Sequence, residues 1–168
     1  LGAIFQNFGN IKKSKYFFEK AVEINPEYAD AQNNLGTIFS ELRNHQKAED
    51  CYKKAIKINS NYKDAYYNLA LTYKDLGEFQ KSVNCFENAI RIDSNHMPSI
   101  SSLASLFRII KFSYFSKEQR ISYKKLFIIL FRNNNIDHMG LAKNTKLLFF
   151  SELDENHVRE SIVLKYSI

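Results

Sequence analysis

The sequence predicts an all-α protein, an α-α superhelix with a C-terminal helical cap, on three grounds. The chain repeats itself at a fixed interval: residues 29–62 laid on 63–96 without a gap share thirteen identities over 34 positions. Within each copy the apolar residues recur at helical spacing in two separate stripes. Turn-forming residues close each stripe at matching places in successive copies.

The first stripe is Leu35, Ile38, Phe39 and Leu42; the second is Ala48, Cys51, Tyr52, Ala55, Ile56 and Ile58. Each repeat is therefore expected to be a pair of helices. The break inside the pair falls near "RNH" in one copy and at "LGEF" in the next, where Gly77 can take the left-handed conformation that ends a helix. The break between pairs falls at Pro26, Ser60 and Ser94, inside "INPEY", "INSNY" and "IDSNH". Small residues (Gly36 or Ala70, Ala48 or Ser82, Ala55 or Ala89) let the helices approach. Phe39 or Tyr73 and Tyr52 or Phe86 then fill the space between them, and the next repeat covers what is left.

The period runs backward, because Leu1, Gly2, Ile4, Phe5, Phe18, Ala21, Ile24 and Tyr28 stand 34 residues before matching residues of the next copy. Forward it decays: Leu103, Ala104 and Phe107 continue it, but Lys111 replaces Gly77 and Arg120 replaces Phe86. The expected organisation is an array over 1–110, made of a partial repeat 1–28, full repeats 29–62 and 63–96 and a degenerate helix 97–110. A helical capping or linker region follows over 111–168. About five antiparallel helices and no strand are expected between Leu1 and His96. Because Leu1 falls in mid-repeat, the chain reads as a piece of a longer protein, with any targeting segment upstream.

With 45% hydrophobic and 14% aromatic residues, the 168-residue chain has enough apolar material for a continuous core and is not a disordered polymer. Cys51 and Cys85 occupy the same place in successive repeats, too far apart for the roughly 6 Å between α-carbons that a disulfide needs. A reducing, cytoplasmic setting is the expectation. The longest apolar run, "LFIILF" at 126–131, suits a buried helix and falls far short of the roughly 20 residues of a membrane span.

The net charge of +6 is local: residues 1–96 carry 13 basic and 12 acidic side chains, 97–132 carry 7 and 1, and 133–168 carry 4 and 5. The excess (Arg108, Lys111, Lys117, Arg120, Lys124, Lys125, Arg132) is a phosphate-facing stripe or, more blandly, a solvated helix face. No nucleic-acid motif accompanies it, so neither nucleic acid nor membrane is expected as a partner.

The pattern looks like the tetratricopeptide repeat, whose motif expects a bulky residue, Leu-Gly, Tyr, Gly, Ala, Phe, Ala and Pro in order. The matches are Leu35, Gly36, Phe39, Ala48, Tyr52 and Ala55, then Tyr66, Leu69, Ala70, Tyr73, Gly77, Phe86 and Ala89. The departures are Gln32 at a bulky position, Arg43 where Gly is usual, and Ser60 and Ser94 where Pro is usual. The resemblance covers residues 1 to about 110 and specifies fold far more closely than function.

In that family the first helices of successive pairs line a binding groove. The resemblance therefore implies a non-catalytic scaffold that holds a peptide or partner protein through Asn33, Asn34, Thr37, Glu41, Tyr67, Asn68, Leu71, Lys74 and Asp75. Asn34 and Asn68 recur at one position; "NNLG" and "YYNLA" resemble the repeats of O-linked N-acetylglucosamine transferases, which use an asparagine ladder on a peptide backbone. An amide offers both a donor and an acceptor for that role. The plainer reading is that both asparagines are simply exposed. A carboxylate clamp of the chaperone kind is disfavoured, because Asp30, Asp64, Asp75 and Glu41 face only Lys74.

Catalytic constellations are not expected in this segment. His45 and His96 fall in turns; Glu152, Asp154, Glu155 and His157 match no metal-ligand spacing; neither cysteine has an activating histidine in its repeat; and five glycines form no phosphate loop. No metal and no cofactor is expected. In the tail, Ser116 and Gln119 form a capping box before "KEQRISYKKLFIILFRNNN", a helix apolar almost all round near its end. "DHMGLAKNTKLLFFSE" and "ENHVRESIVLKYSI" are two further helices able to cover it. A cap on the array is the simple role. The alternative is a join to a transferase domain beyond Ile168, as in bacterial repeat-containing glycosyl- and sulfotransferase-like proteins that "LFRNNNIDH" resembles.

Overall fold

The computed structural model describes residues 1–110 together with Tyr123, Leu126 and Leu130. Among the described residues seven bounded helices follow one another: α1 (Gly2–Asn7), α2 (Ile11–Ile24), α3 (Ala29–Glu41), α4 (His45–Ile58), α5 (Lys63–Asp75), α6 (Phe79–Ile92) and α7 (Met97–Ile109). Among the described residues there is no strand. Helices α1 and α2, α3 and α4, and α5 and α6 pair, and α2 packs on α3 as α4 packs on α5. Six helices, rather than about five, thus lie between Leu1 and His96, because the six residues Gly2–Asn7 suffice to form α1 against α2.

The breaks inside each pair share one geometry. Gly9, Arg43 and Gly77 all have positive φ, at 68°, 58° and 75°. The following amide reaches back to close the helix: Asn10 N–H donates to Phe5 O at 2.8 Å, Asn44 N–H to Phe39 O at 2.8 Å and Glu78 N–H to Tyr73 O at 2.9 Å. This is the Schellman closure, which favours glycine because a Cβ is strained at such φ. Arg43 accepts that strain. Asn10 and Asn44 then cap the second helices, their side chains accepting from Lys13 N–H at 3.1 Å and Lys47 N–H at 3.2 Å.

Packing inside the first two pairs relies on a missing side chain. A Cβ added to Gly36 would lie 2.7 Å from the Tyr52 ring, and one on Gly2 would lie 2.9 Å from Phe18. Beneath these contacts Ser14 Oγ donates to Gly2 O at 3.0 Å and Ser82 Oγ donates to Ala70 O at 2.7 Å, both buried. Ala48 occupies the equivalent place in the middle pair without a hydroxyl.

One core cluster threads the pairs: Phe18 from α2, Leu35, Ile38 and Phe39 from α3, Cys51 and Tyr52 from α4, and Leu69 and Tyr73 from α5. Tyr73 also donates its hydroxyl to Glu49 Oε1 at 2.9 Å, tying α5 to α4, and Lys53 Nζ lies 2.6 Å from the same oxygen. Cys51 and Cys85 are free thiols, pushed up to about 11 and about 12 by burial.

The chain divides into two compact units, Leu1–Ser102 and Leu103–Ile168, and the division falls inside α7. In the second unit Leu103, Leu106 and Phe107 are buried, as are Tyr123, Leu126 and Leu130, which are helical and spaced three and four residues apart. The Phe107 and Tyr123 rings meet at 5.7 Å. Leu126 and Leu130 thus show part of the "LFIILF" run buried, while Phe127, Ile128 and Phe131, the capping box at Ser116 and the two expected final helices lie outside the described residues.

Candidate functional site

The row of candidate residues lies on α3 and α5, and its members divide into those that hold the helices together and those left open. Asn33 belongs to the first kind. It is buried, and its Oδ1 accepts from Asn68 Nδ2 at 3.0 Å, linking α3 to α5. Asn68 is half-buried, so it has committed one donor to the scaffold and keeps its remaining amide capacity at the edge of the row. Its repeat equivalent, Asn34, is half-buried on α3. Replacing Asn68 would leave the Asn33 amide oxygen without this donor.

Thr37 and Thr72 bind their own helices, Thr37 Oγ1 donating to Asn33 O at 3.3 Å and Thr72 Oγ1 to Asn68 O at 3.1 Å. Tyr52 reaches Thr37 from α4, its hydroxyl donating at 3.4 Å. Glu41, exposed, accepts from Gln6 Nε2 at 3.5 Å, so α1 and α3 are bridged near one end of the row as α3 and α5 are bridged by the asparagines. Tyr67 is half-buried by ring contacts with Phe86 at 6.0 Å and His96 at 5.6 Å. Leu71 and Lys74 are half-exposed and Asp75 is exposed.

A second ladder runs along the starts of α3 and α5. Tyr62 is hydrogen-bonded to Asp30, and burial followed by that carboxylate raises its pKa. One repeat later His96 takes the tyrosine's place, with Nε2 at 3.3 Å from Asp64 Oδ1. His96 Nδ1 also shares a hydrogen bond with Ser99 Oγ at 2.7 Å. Ser99, His96 and Asp64 are thus in line, but Ser99 has no exposed surface, so no substrate reaches its hydroxyl. These contacts anchor the start of α7 to α5. Sequence reasoning placed His96 in a turn; its register with Tyr62 was the available signal for this contact.

Among the described residues no group of three or more His, Cys, Asp and Glu side chains converges as a metal would need. No described helix is long and apolar enough to cross a membrane.

No curated protein matches the chain. Among solved structures it is similar to MamA, at 26% identity and a TM-score of 0.65 over 79% of this chain and 73% of that one. The first TPR domain of Spaghetti (RPAP3), bound to the HSP90 peptide SRMEEVD, matches at 16% identity and a TM-score of 0.61, covering 62% of this chain and 83% of that one. The Thermobaculum terrenum O-GlcNAc transferase matches at 16% and 0.63, over 74% of this chain but 24% of that one. The last two likenesses are likenesses of fold. Tetratricopeptide repeat models match residues 1–28, 29–62 and 64–96, more than half of the chain. These matched segments are the three helix pairs closed by Gly9, Arg43 and Gly77, and the chain belongs to the tetratricopeptide repeat family.

Proposed function

We propose that this segment works by binding and not by catalysis, holding an extended peptide or a segment of a partner protein along the α3 and α5 row. The observation that carries the reading is the split within that row. Asn33 is spent on the scaffold and fixes Asn68, whereas Asn34, Leu71, Lys74 and Asp75 remain at least partly open beside it. A pre-positioned amide costs little entropy when a ligand backbone pairs with it.

The charge of the row selects among ligands. Asp30, Asp64, Asp75 and Glu41 outnumber Lys74, so a neutral or basic peptide suits it better than a carboxylate-rich one. This sets it apart from the RPAP3 domain, whose bound peptide is acidic. The test is selection of binders from an unbiased peptide library displayed against the full chain. Binders should be poor in Asp and Glu and should lose about tenfold in affinity with Asn34→Ala and Leu71→Ala combined. Binders enriched in acidic termini, or indifferent to the pair of substitutions, would contradict the reading.

A further inference from the structure

Each turn inside a helix pair carries the same group of three side chains. Phe5, Phe39 and Tyr73 hold equivalent places on α1, α3 and α5, and Lys13, Lys47 and Lys81 of the second helices lie over their rings at 5.2, 5.4 and 5.2 Å. One helical turn after each ring stands an exposed apolar residue, Phe8, Leu42 or Leu76. Leu42 keeps 50% of its surface although helix pairs lie on both sides of it, so its exposure is not that of a chain end.

Helix stability does not account for these lysines. They fall in the first turns of α2, α4 and α6, none of which holds an acidic residue, so their charges oppose the helix dipole there. Arg43 adds a cation at the one turn of the three that lacks glycine, at the cost of a positive φ. Residues 8–13, 42–47 and 76–81 together carry five cations, Lys12, Lys13, Arg43, Lys47 and Lys81, against the single carboxylate of Glu78. Glu78 is paired with Lys81, whereas Lys13 and Lys47 form no ion pair among the described residues.

We infer that this edge of turns is a docking surface for an acidic amphipathic helix of a folded partner protein, whose apolar side chains cover Leu42 and Leu76 and whose flanking carboxylates meet Lys13, Lys47 and Lys81. Charge complementarity selects the occupant. The turn amides of Asn44 and Glu78 are already spent on Phe39 O and Tyr73 O, so the edge offers side chains rather than backbone groups. That suits a preformed helix and not an extended peptide. An anionic bilayer fits less well, because exposed Glu41 and Asp75 border Leu42 and Leu76 and a uniformly negative surface would meet them too. The inference is independent of what the α3 and α5 row binds.

The test titrates the full chain with a designed, stably folded helix that carries a leucine stripe flanked by glutamates, and with a counterpart whose glutamates are glutamines. The acidic helix should bind about tenfold or more tightly than its counterpart, and added salt should weaken it. Lys13→Gln with Lys47→Gln, and separately Leu42→Ser with Leu76→Ser, should each cost about tenfold in affinity while the melting temperature stays near that of the parent. Reversal of charge at Lys13→Glu with Lys47→Glu should transfer the preference to a helix with lysines in place of the glutamates. Failure of the acidic helix to bind, equal affinity for the two helices, or affinity untouched by these variants would overturn the proposal. So would binding of the acidic helix that Asn34→Ala with Leu71→Ala removes, which would place it in the row. Binding to phosphatidylserine vesicles without binding to the acidic helix would also overturn it, since the edge would then face a lipid.

Discussion

Asn68 Nδ2 donates at 3.0 Å to Oδ1 of Asn33, a buried residue, so the first helices of two successive repeats are joined by a side-chain amide pair directly beside the candidate binding row. Asn68→Ala leaves that oxygen without its partner, and stranding a buried acceptor costs about 1–3 kcal/mol. Chemical denaturation should show this loss, whereas Asn34→Ala should change stability by no more than about 0.5 kcal/mol. Equal effects of the two substitutions would mean that the amide pair is not formed.

Gly36→Ala should destabilise the array by about 1–3 kcal/mol, because the new methyl would press on the Tyr52 ring at 2.7 Å and the ring is fully buried. The double variant Gly36→Ala with Tyr52→Phe tests whether the hydroxyl bond to Thr37 holds the ring in place. Partial recovery over Gly36→Ala alone is expected, since Phe86 already coexists with Ala70 at the equivalent pair. Thermal unfolding of the two variants beside the parent separates these outcomes.

Arg43→Gly should stabilise the protein by about 1 kcal/mol, since Arg43 holds a φ of 58° where Gly9 and Gly77 occupy the same turn without a Cβ. Gly77→Arg should cost a similar amount. Urea midpoints of both variants check the pair of signs.

Glu49 gives the α4 and α5 contact a pH dependence. Burial works against ionisation, but hydrogen bonds from Lys53 and Tyr73 outweigh it and hold the carboxyl below its ordinary 4.5. A lowered native pKa means that the unfolded chain takes up the proton first as pH falls. The stabilisation is therefore complete above about pH 4.5 and is lost below it. Stability measured from about pH 6 down to pH 3 should fall less steeply in Glu49→Gln than in the parent. Parallel curves would show that Glu49 does not contribute.

The helix pairs were legible because stripe spacing and the 34-residue period are local properties of the chain. The left-handed turn at Arg43 was legible only through its register with Gly77, since arginine itself carries no such preference. The site was harder to read. Asn33 and Asn34 are adjacent polar residues on one helix, and nothing in their chemistry says that the neighbouring repeat buries one and leaves the other at the edge. Tyr67 was assigned to the row, yet Phe86 and His96 hold much of its ring, again through contacts between elements distant in sequence. The short α1 was undercounted for a related reason: its stability comes from α2 rather than from its own six residues.

Binding along the α3 and α5 row is tested most directly by mapping amide chemical shifts of the full chain on titration with a peptide selected for binding to it. The account predicts perturbations centred on Asn34, Thr37, Asn68, Leu71 and Lys74, with α4 and α6 outer residues such as Lys54 and Asn88 unmoved. Perturbations confined to α4 and α6, with the α3 and α5 row silent at saturation, would contradict it.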